Sequence, residues 1–281
     1  MKAASFDYYR ARDLDVASAV LAEHEGAAKV LAGGQSLVPM LNLRLAPVAM
    51  LVDVRHIASL RQSTTEKGRV RLGACVTHAA IEDGVAPDPT GGLLPRIAEG
   101  IAYRAIRTRG TIGGSLALSD PSAEWPVAML ALGAEIRLHG PHGQRDIAAS
   151  EMFVGAYTTS VEEAEIVESV AVPALSPSAR TGIFKVCRKT GEYAASLGVA
   201  VSDRDAGRHA MALGGLSGGP LRLRRTEVRL HDFEEWSPEA ETQIREAALA
   251  DLAERDAEMS DDERFLHAAT ATRTVKDMLA R

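Results

Sequence analysis

Ala32-Gly33-Gly34-Gln35-Ser36-Leu37 and Thr111-Ile112-Gly113-Gly114-Ser115, the second followed by Ser119-Asp120-Pro121, are the two stretches that decide how this chain folds and what it holds. Each joins glycines, which let a backbone approach a ligand closely, to neutral hydroxyl or amide side chains that can hydrogen-bond it. Neither contains Lys or Arg. A diphosphate held here would therefore be bound mainly by backbone N–H groups, arranged as a nest or at a helix start, rather than by a counter-charge. A single Gly-Gly pair is ordinary turn punctuation. Two such loops far apart in sequence point to one diphosphate gripped from both sides, and hence to a dinucleotide. Neither loop is G-x-G-x-x-G and neither ends in Gly-Lys-Ser/Thr, so the Rossmann and P-loop signatures are absent.

The composition is that of an ordinary globular protein: 281 residues, 46% apolar and 25% charged, with only 4% aromatic. The core must rest on Ala, Val, Leu and Ile. A net charge of −6 argues against nucleic acid as a partner, and the basic cluster Arg222, Arg224, Arg225 reads as the solvent face of a strand. Cys75 and Cys187 are the two cysteines; they cannot supply an iron–sulfur cluster or a structural zinc, and they read as reduced core residues. His24, His78, His139 and His142 are scattered, so no metal site is expected. Met1 to Arg12 has no apolar signal core and no run approaches the length of a membrane span, which leads us to expect a cytoplasmic protein.

Helix and strand signals alternate. Asp13 can cap a helix with Leu14, Val16, Val20 and Leu21 on its apolar face. A strand at 29–31 then delivers the first glycine loop, and Ser36 stands where the cap of a helix over 37–45 belongs. Strands are expected at 51–54 and 69–73, with Thr77 opening the next helix. A helix over 93–103 and a basic turn at 104–109 precede the second loop. An apolar helix over 124–132 and a hairpin over 134–147, turning at Gly140-Pro141-His142-Gly143, follow it. Pro173, Ser176, Pro177 and Ser178 form a break that we take as a domain boundary, dividing residues 1–176 from 177–281. Beyond it we expect antiparallel strands at 182–188, 196–201, 210–214 and 222–230, then helices at 238–254 and 261–280. The fold class is α+β.

These residues also carry a family resemblance. Ala32 to Leu37, running on into Leu43-Arg44-Leu45 and Leu51-Val52-Asp53, resembles the first FAD loop of the molybdenum hydroxylase flavoproteins. Arg109 to Ala117, with Asp120-Pro121-Ser122-Ala123-Glu124, resembles the second. The similarity extends to Phe184-Lys185 and Leu213-Gly214-Gly215, and is closest to the separate medium subunit of carbon monoxide, nicotine and xanthine dehydrogenases. It implies a two-part FAD-binding domain of the vanillyl-alcohol-oxidase type, followed by a smaller α+β domain with an antiparallel sheet and C-terminal helices. It implies an oxidoreductase subunit that carries FAD alone. Electrons would come from the [2Fe–2S] clusters of a small iron–sulfur subunit, reduced in turn by a large molybdopterin subunit, and leave to an external acceptor. A dimer of heterotrimers would fit.

By the same resemblance Ala32, Gly33, Gly34, Gln35, Ser36 and Leu37, with Thr111, Gly113, Gly114 and Ser115, would hold the pyrophosphate region, and Asp120 belongs to the same loop. Glu124 would accept from ribityl or adenosine hydroxyls, or simply be a first-turn carboxylate. Ile101 and Ile166 would touch the ring systems, or serve only as core. Lys185 would lie near the flavin and stabilise the charge of its reduced ring; on an exposed strand it would be a solvated charge. Tyr193 would stack on the isoalloxazine, or be structural. Three departures stand out: Thr108 where Asn is frequent, Leu118-Ser119 before Asp120, and a less regular Cys187–Gly191. The alternatives are a free-standing flavin oxidase or reductase, with Tyr193 or Glu192 as its acid or base, and a nucleotide-binding protein without catalysis.

Overall fold

The computed structural model describes residues 2–281. The chain opens as two β–α–β crossovers: β1 (Asp7–Arg10), α1 (Leu14–Glu23), β2 (Ala28–Leu31), α2 (Leu37–Asn42) and β3 (Met50–Asp53). The three strands form a parallel sheet in the order β1-β3-β2. The Asp13 carboxylate accepts from the Val16 N–H at 2.8 Å, so the expected cap is present, and Leu14, Ala17 and Leu21 are buried against the sheet. In parallel sheets the crevice outside the carboxyl ends of the strands is the usual ligand site. The first glycine loop leaves β2 at that edge.

Two expectations fail around α2. Ser36 is already in helical geometry (φ −104°, ψ −50°) and makes no side-chain cap. The helix also stops at Asn42, three residues early, because Arg44 takes a left-handed conformation and leaves Leu43 and Leu45 exposed. The turn into the helix is made instead by Gly34, at φ +73°.

The next stretch contains β4 (Ser63–Glu66), β5 (Arg69–Gly73), α3 (His78–Glu82), α4 (Leu93–Glu99), α5 (Arg104–Arg107), α6 (Ile112–Leu118), α7 (Glu124–Leu132), β6 (Glu135–Gly140), β7 (Gly143–Ala148), α8 (Ala149–Met152), the short pair β8 (Phe153–Gly155) and β9 (Thr158–Thr159), and β10 (Ile166–Pro173). A five-stranded antiparallel sheet runs β4-β5-β10-β6-β7. Helix 93–103 is shorter than expected because Gly100 ends it, and the basic turn coils into α5. The hairpin register pairs Gly140 with Gly143, as its turn residues require. After its opening Glu124, helix α7 is apolar on every side, and all nine of its residues are buried.

After the break come β11 (Arg180–Val186), β12 (Ser196–Asp203), β13 (Arg208–Gly214), the two-residue β14 (Leu221–Arg222), α9 (Arg224–Leu230), α10 (Pro238–Arg255) and α11 (Asp261–Leu279). These four strands form an antiparallel sheet in chain order, with β12 buried along its whole length. One face, through Leu197, Val199, Val201 and Ala212, joins the core built on α7. The other, through Ala200, Met211 and Leu213, packs with α10 and α11.

The strand expected at 222–230 is a correction: only two residues pair, and the rest is α9. The buried Asp251 on α10 accepts from the N–H groups of Arg225 and Thr226 and from the Thr226 hydroxyl, at 2.9–3.0 Å, which satisfies the free donors of a helix start. The basic cluster is likewise no bare strand face. Arg222 and Arg224 pair with Glu227, and Arg225 with Glu254.

Asp53 joins the first sheet to its edge. Fully buried, it accepts from the Tyr8 hydroxyl on β1 and is gripped by Arg55 at 2.6 Å. Burial works to raise its pKa, but the Arg55 and Tyr8 hydrogen bonds outweigh it and hold the carboxyl at about 2. A carboxylate depressed below its unfolded value stabilises the fold above that value and loses the contribution as pH falls toward the folded one. Urea unfolding should therefore show a loss of about 2 kcal/mol between pH 5 and pH 2, and Asp53→Asn should lack that part of the pH dependence. Separately, Asp251→Ala should cost about 2–4 kcal/mol, because it orphans the buried donors of α9.

Candidate functional site

Both glycine loops line one cavity of about 930 Å³, at the upper end of the ~300–1,000 Å³ typical of small-molecule sites. Its wall falls into three groups. Ala32, Gly33, Gly34, Gln35, Ser36 and Leu37 face Thr111, Gly113, Gly114 and Ser115 along the middle. Ile101, Tyr103, Asp120, Glu124 and Tyr193 form a second group, and Leu21, Lys29, Glu163 and Ile166 a third. Fifteen of the sixteen residues selected from the sequence thus share one surface. Lys185 is absent from it and stands one layer behind.

The loops are locked together by close backbone packing. A Cβ on Gly33 would fall on the Arg109 carbonyl and 2.8 Å from Gly110 Cα, and one on Gly113 would lie 2.7 Å from Ala74 Cα. Those two glycines let main chains touch each other. Gly34 has a different reason: at φ +73° an L side chain is strained.

The two loops differ in what they can donate. Among the described residues, the N–H groups of Gly33, Gly34, Gln35 and Ser36 donate to no backbone or side-chain acceptor. Such a run of free amides around a left-handed residue is an anion cradle. In the second loop the Ile112 and Gly113 amides donate to the Val76 and Ala74 carbonyls, and that of Gly114 to the Thr111 hydroxyl oxygen. It was expected to offer backbone N–H groups too; its amides are engaged because the loop is braced on β5 and the turn after it. It contributes the hydroxyls of Thr111 and Ser115 instead.

Charge at the site is acidic. Lys29 is the one Lys or Arg among the described lining residues, against Glu25, Asp120, Glu124, Glu162, Glu163, Glu165 and Glu192. Glu124 opens α7 and is buried, with Lys185 Nζ on β11 donating to its Oε1 at 2.7 Å and to the Gly100 carbonyl at 3.0 Å. Burial pushes the Glu124 carboxyl up, and the Lys185 ammonium opposes it. Lys185 is therefore no solvated surface charge: it pairs from behind with Glu124, a buried carboxylate that itself lines the cavity. Asp120 accepts from the Ser122 N–H at 2.9 Å, shaping the turn before α7.

Tyr193 is 73% exposed at the rim, and partial burial, then the charges of Asp120 and Glu124, raise its phenol pKa. Tyr103 is also exposed, packed against Gly191. Ile101 and Ile166 are both buried and both in the lining, so each belongs to the core and to the cavity wall.

The cavity also holds residues that the sequence did not single out as ligands, among them Tyr103, Cys75 and His78. Nothing local marks them. His78 reaches the site only because the Thr77–Thr111 bridge and the bond from the His78 N–H to the Gly110 carbonyl (3.0 Å) place α3 beside the second loop. Cys75 behaves as expected of a core thiol, with burial pushing it up to about 11.

Residues 4–175 match the family model described as the FAD binding domain in molybdopterin dehydrogenase. The carbon monoxide dehydrogenase medium chain of Hydrogenophaga pseudoflava is 36% identical over 72% of this chain and 70% of its own length. The nicotine 6-hydroxylase medium subunit of Paenarthrobacter nicotinovorans is 33% identical, covering 90% of this chain and 89% of its own. A solved structure of the Hydrogenophaga pseudoflava carbon monoxide dehydrogenase, lacking the Mo-pyranopterin moiety, superposes with a TM-score of 0.90 at 30% identity, covering 100% of this chain and 99% of that one.

Gly33→Ala should open the seam between the loops and lower ligand retention at least tenfold, read as flavin bound per chain after gel filtration. Lys185→Met should destabilise by about 3–5 kcal/mol by leaving a buried carboxylate uncompensated. Adding Glu124→Gln should restore most of that loss in chemical unfolding.

Proposed function

Because the chain belongs to the family of FAD-binding domains of molybdopterin dehydrogenases, we propose that it is the medium subunit of a three-part complex. Its partners on this reading are a small subunit with [2Fe–2S] clusters and a large molybdopterin subunit. FAD is the cofactor, and the chain is an oxidoreductase subunit of a multi-subunit molybdenum hydroxylase. The observation that carries the reading is the single cavity lined by both loops, one wall of which presents four consecutive free amides. When bound, FAD takes up electrons in single steps and releases them to an acceptor.

The chain's own residues have separable tasks. The amides of Gly33 to Ser36 hold the diphosphate from one side, and the Thr111 and Ser115 hydroxyls complete the grip from the other. Neutral donors suit the site because the acidic lining offers no guanidinium to compensate the anion. Glu124 accepts from cofactor hydroxyls while Lys185 neutralises it, so Lys185 acts on the flavin through Glu124. Tyr193 covers the ring at the rim, where its exposure leaves it free to move. Ile101 and Ile166 contact the ring systems. Residues 1–176 are the FAD-binding domain and 177–281 the C-terminal domain, joined where Ser176 N–H and Oγ both donate to the buried Asp203.

A free-standing oxidase is not favoured, since the relatives are medium subunits or chains of larger dehydrogenases. Glu192, its candidate acid or base, is paired with Arg188 and Lys189. No helix among the described residues is long and apolar enough to cross a membrane; we place the complex in the cytoplasm, as a dimer of heterotrimers.

The visible absorption spectrum of the purified chain, with the released cofactor weighed by mass spectrometry, should show FAD close to one per chain and no iron. Purification from its native source should bring down two further chains carrying iron and molybdenum. A colourless chain that takes up no added FAD would overturn the cofactor reading, and an FAD-bearing chain that elutes alone at every step would overturn the partners.

A further inference from the structure

We propose that His78 is a binding residue for the dinucleotide, its Nε2–H donating to a diphosphate oxygen where the two glycine loops meet. The proposal rests on the FAD reading and adds to it a side chain outside both loops. Trp125, fully buried on α7, donates its indole N–H to His78 Nδ1 at 3.0 Å. Indole nitrogen is a donor only, so Nδ1 must be the acceptor and a neutral ring must carry its proton on Nε2. Burial, then the charge of Arg107, lowers the His78 pKa to about 4 and keeps the ring neutral. The tautomer is thus imposed from behind by the core.

That Nε2–H has no acceptor among the described residues, although the side chain is more than nine-tenths buried and lines the cavity. Nor is it among the fully enclosed polar atoms that lack a partner, so it keeps accessible surface on a residue that lines the cavity. Its position is set by two contacts in series. A Cβ on Gly110 would lie 2.7 Å from His78 Nε2, and one on Gly33 would lie 2.8 Å from Gly110 Cα. The imidazole N–H therefore abuts the seam through which the diphosphate is gripped. A donor left open toward the cavity is free to take up a ligand acceptor, and an anionic oxygen is the strongest available to it. In a lining with almost no cationic side chains, a fixed neutral donor adds to the amides without placing a charge in the core.

Two measurements on the full chain, freed of flavin, test this. The first is titration with FAD and with ADP, which carries the adenosine and the diphosphate without the flavin. His78→Phe, which keeps a ring and removes the donor, should weaken both ligands about tenfold or more. Trp125→Phe should weaken them in the His78 protein but not in the His78→Phe background, because it acts only by setting the tautomer. The second needs no variant: in the chain labelled with 15N-histidine, His78 should show a protonated Nε2 whose proton resonance moves downfield on adding ADP. Unchanged FAD and ADP affinity in a folded His78→Phe protein would overturn the proposal, and so would a proton on Nδ1 or an Nε2–H that ignores ADP. If His78→Phe does not fold, the labelled wild-type chain still decides. A wild-type chain that binds neither FAD nor ADP would mark failure of the flavin reading itself.

Discussion

The backbone contact between the two glycine loops is the constraint on which the rest of the site depends. Gly33 packs on Arg109 and Gly110, and Gly113 packs on the main chain of Ala74. The parallel sheet of β1 to β3 supplies the first loop, and the antiparallel sheet centred on β10 braces the second. A side chain at either contact would push these layers apart, and the cavity between them would lose a wall. Closeness here is a property of main chain against main chain, which only a missing Cβ permits. It also explains why the amides differ: a loop held this tightly on Ala74 and Val76 uses its N–H groups for anchoring, while those of Gly33 to Ser36 stay free among the described residues.

Electrostatics follows from the same geometry. A diphosphate bound by peptide dipoles and hydroxyls needs no counter-ion, so the cavity can be acidic overall without repelling it at the point of contact. The one buried ammonium beneath the wall, Lys185, is balanced by Glu124 and held by the Gly100 carbonyl. Pairing keeps both charges in place at low exposure, since an unpartnered ion there would be strongly unfavourable. The pair also ties β11 of the C-terminal half to α7 and to the end of α4, so the cavity wall is completed by residues from both halves of the chain.

Helix α7 and strand β12 are the joint between those halves. Both are buried throughout, and one face of the C-terminal sheet continues the core of the first part while the other packs on α10 and α11. Burial of this kind leaves little room for polar groups, and those present are paired: Ser196 with His267 at 2.8 Å, and Asp203 with Ser176. The chemistry-bearing residues are thereby confined to the loops and element ends that face the cavity.

Much of this was written locally. Turn chemistry placed the hairpin at Gly140–Gly143, the Asp13 cap placed α1, and the composition of the two loops, together with the family resemblance, pointed to a dinucleotide held without counter-charge. Local signals erred where distant partners outweighed propensity: 224–230 coils into α9 because Asp251 caps it from 25 residues away, and α2 stops early because Arg44 turns left-handed. The sequence by itself determined which residues can approach a ligand closely and which bear neutral donors, because those are properties of the side chain present or absent. Tertiary structure alone decided that Gly33 serves loop packing, that Lys185 stands behind Glu124, and that His78 enters the cavity with Trp125 at its back. Each of these depends on contacts between residues 47 to 77 positions apart, and no local pattern encodes the distance across such a fold.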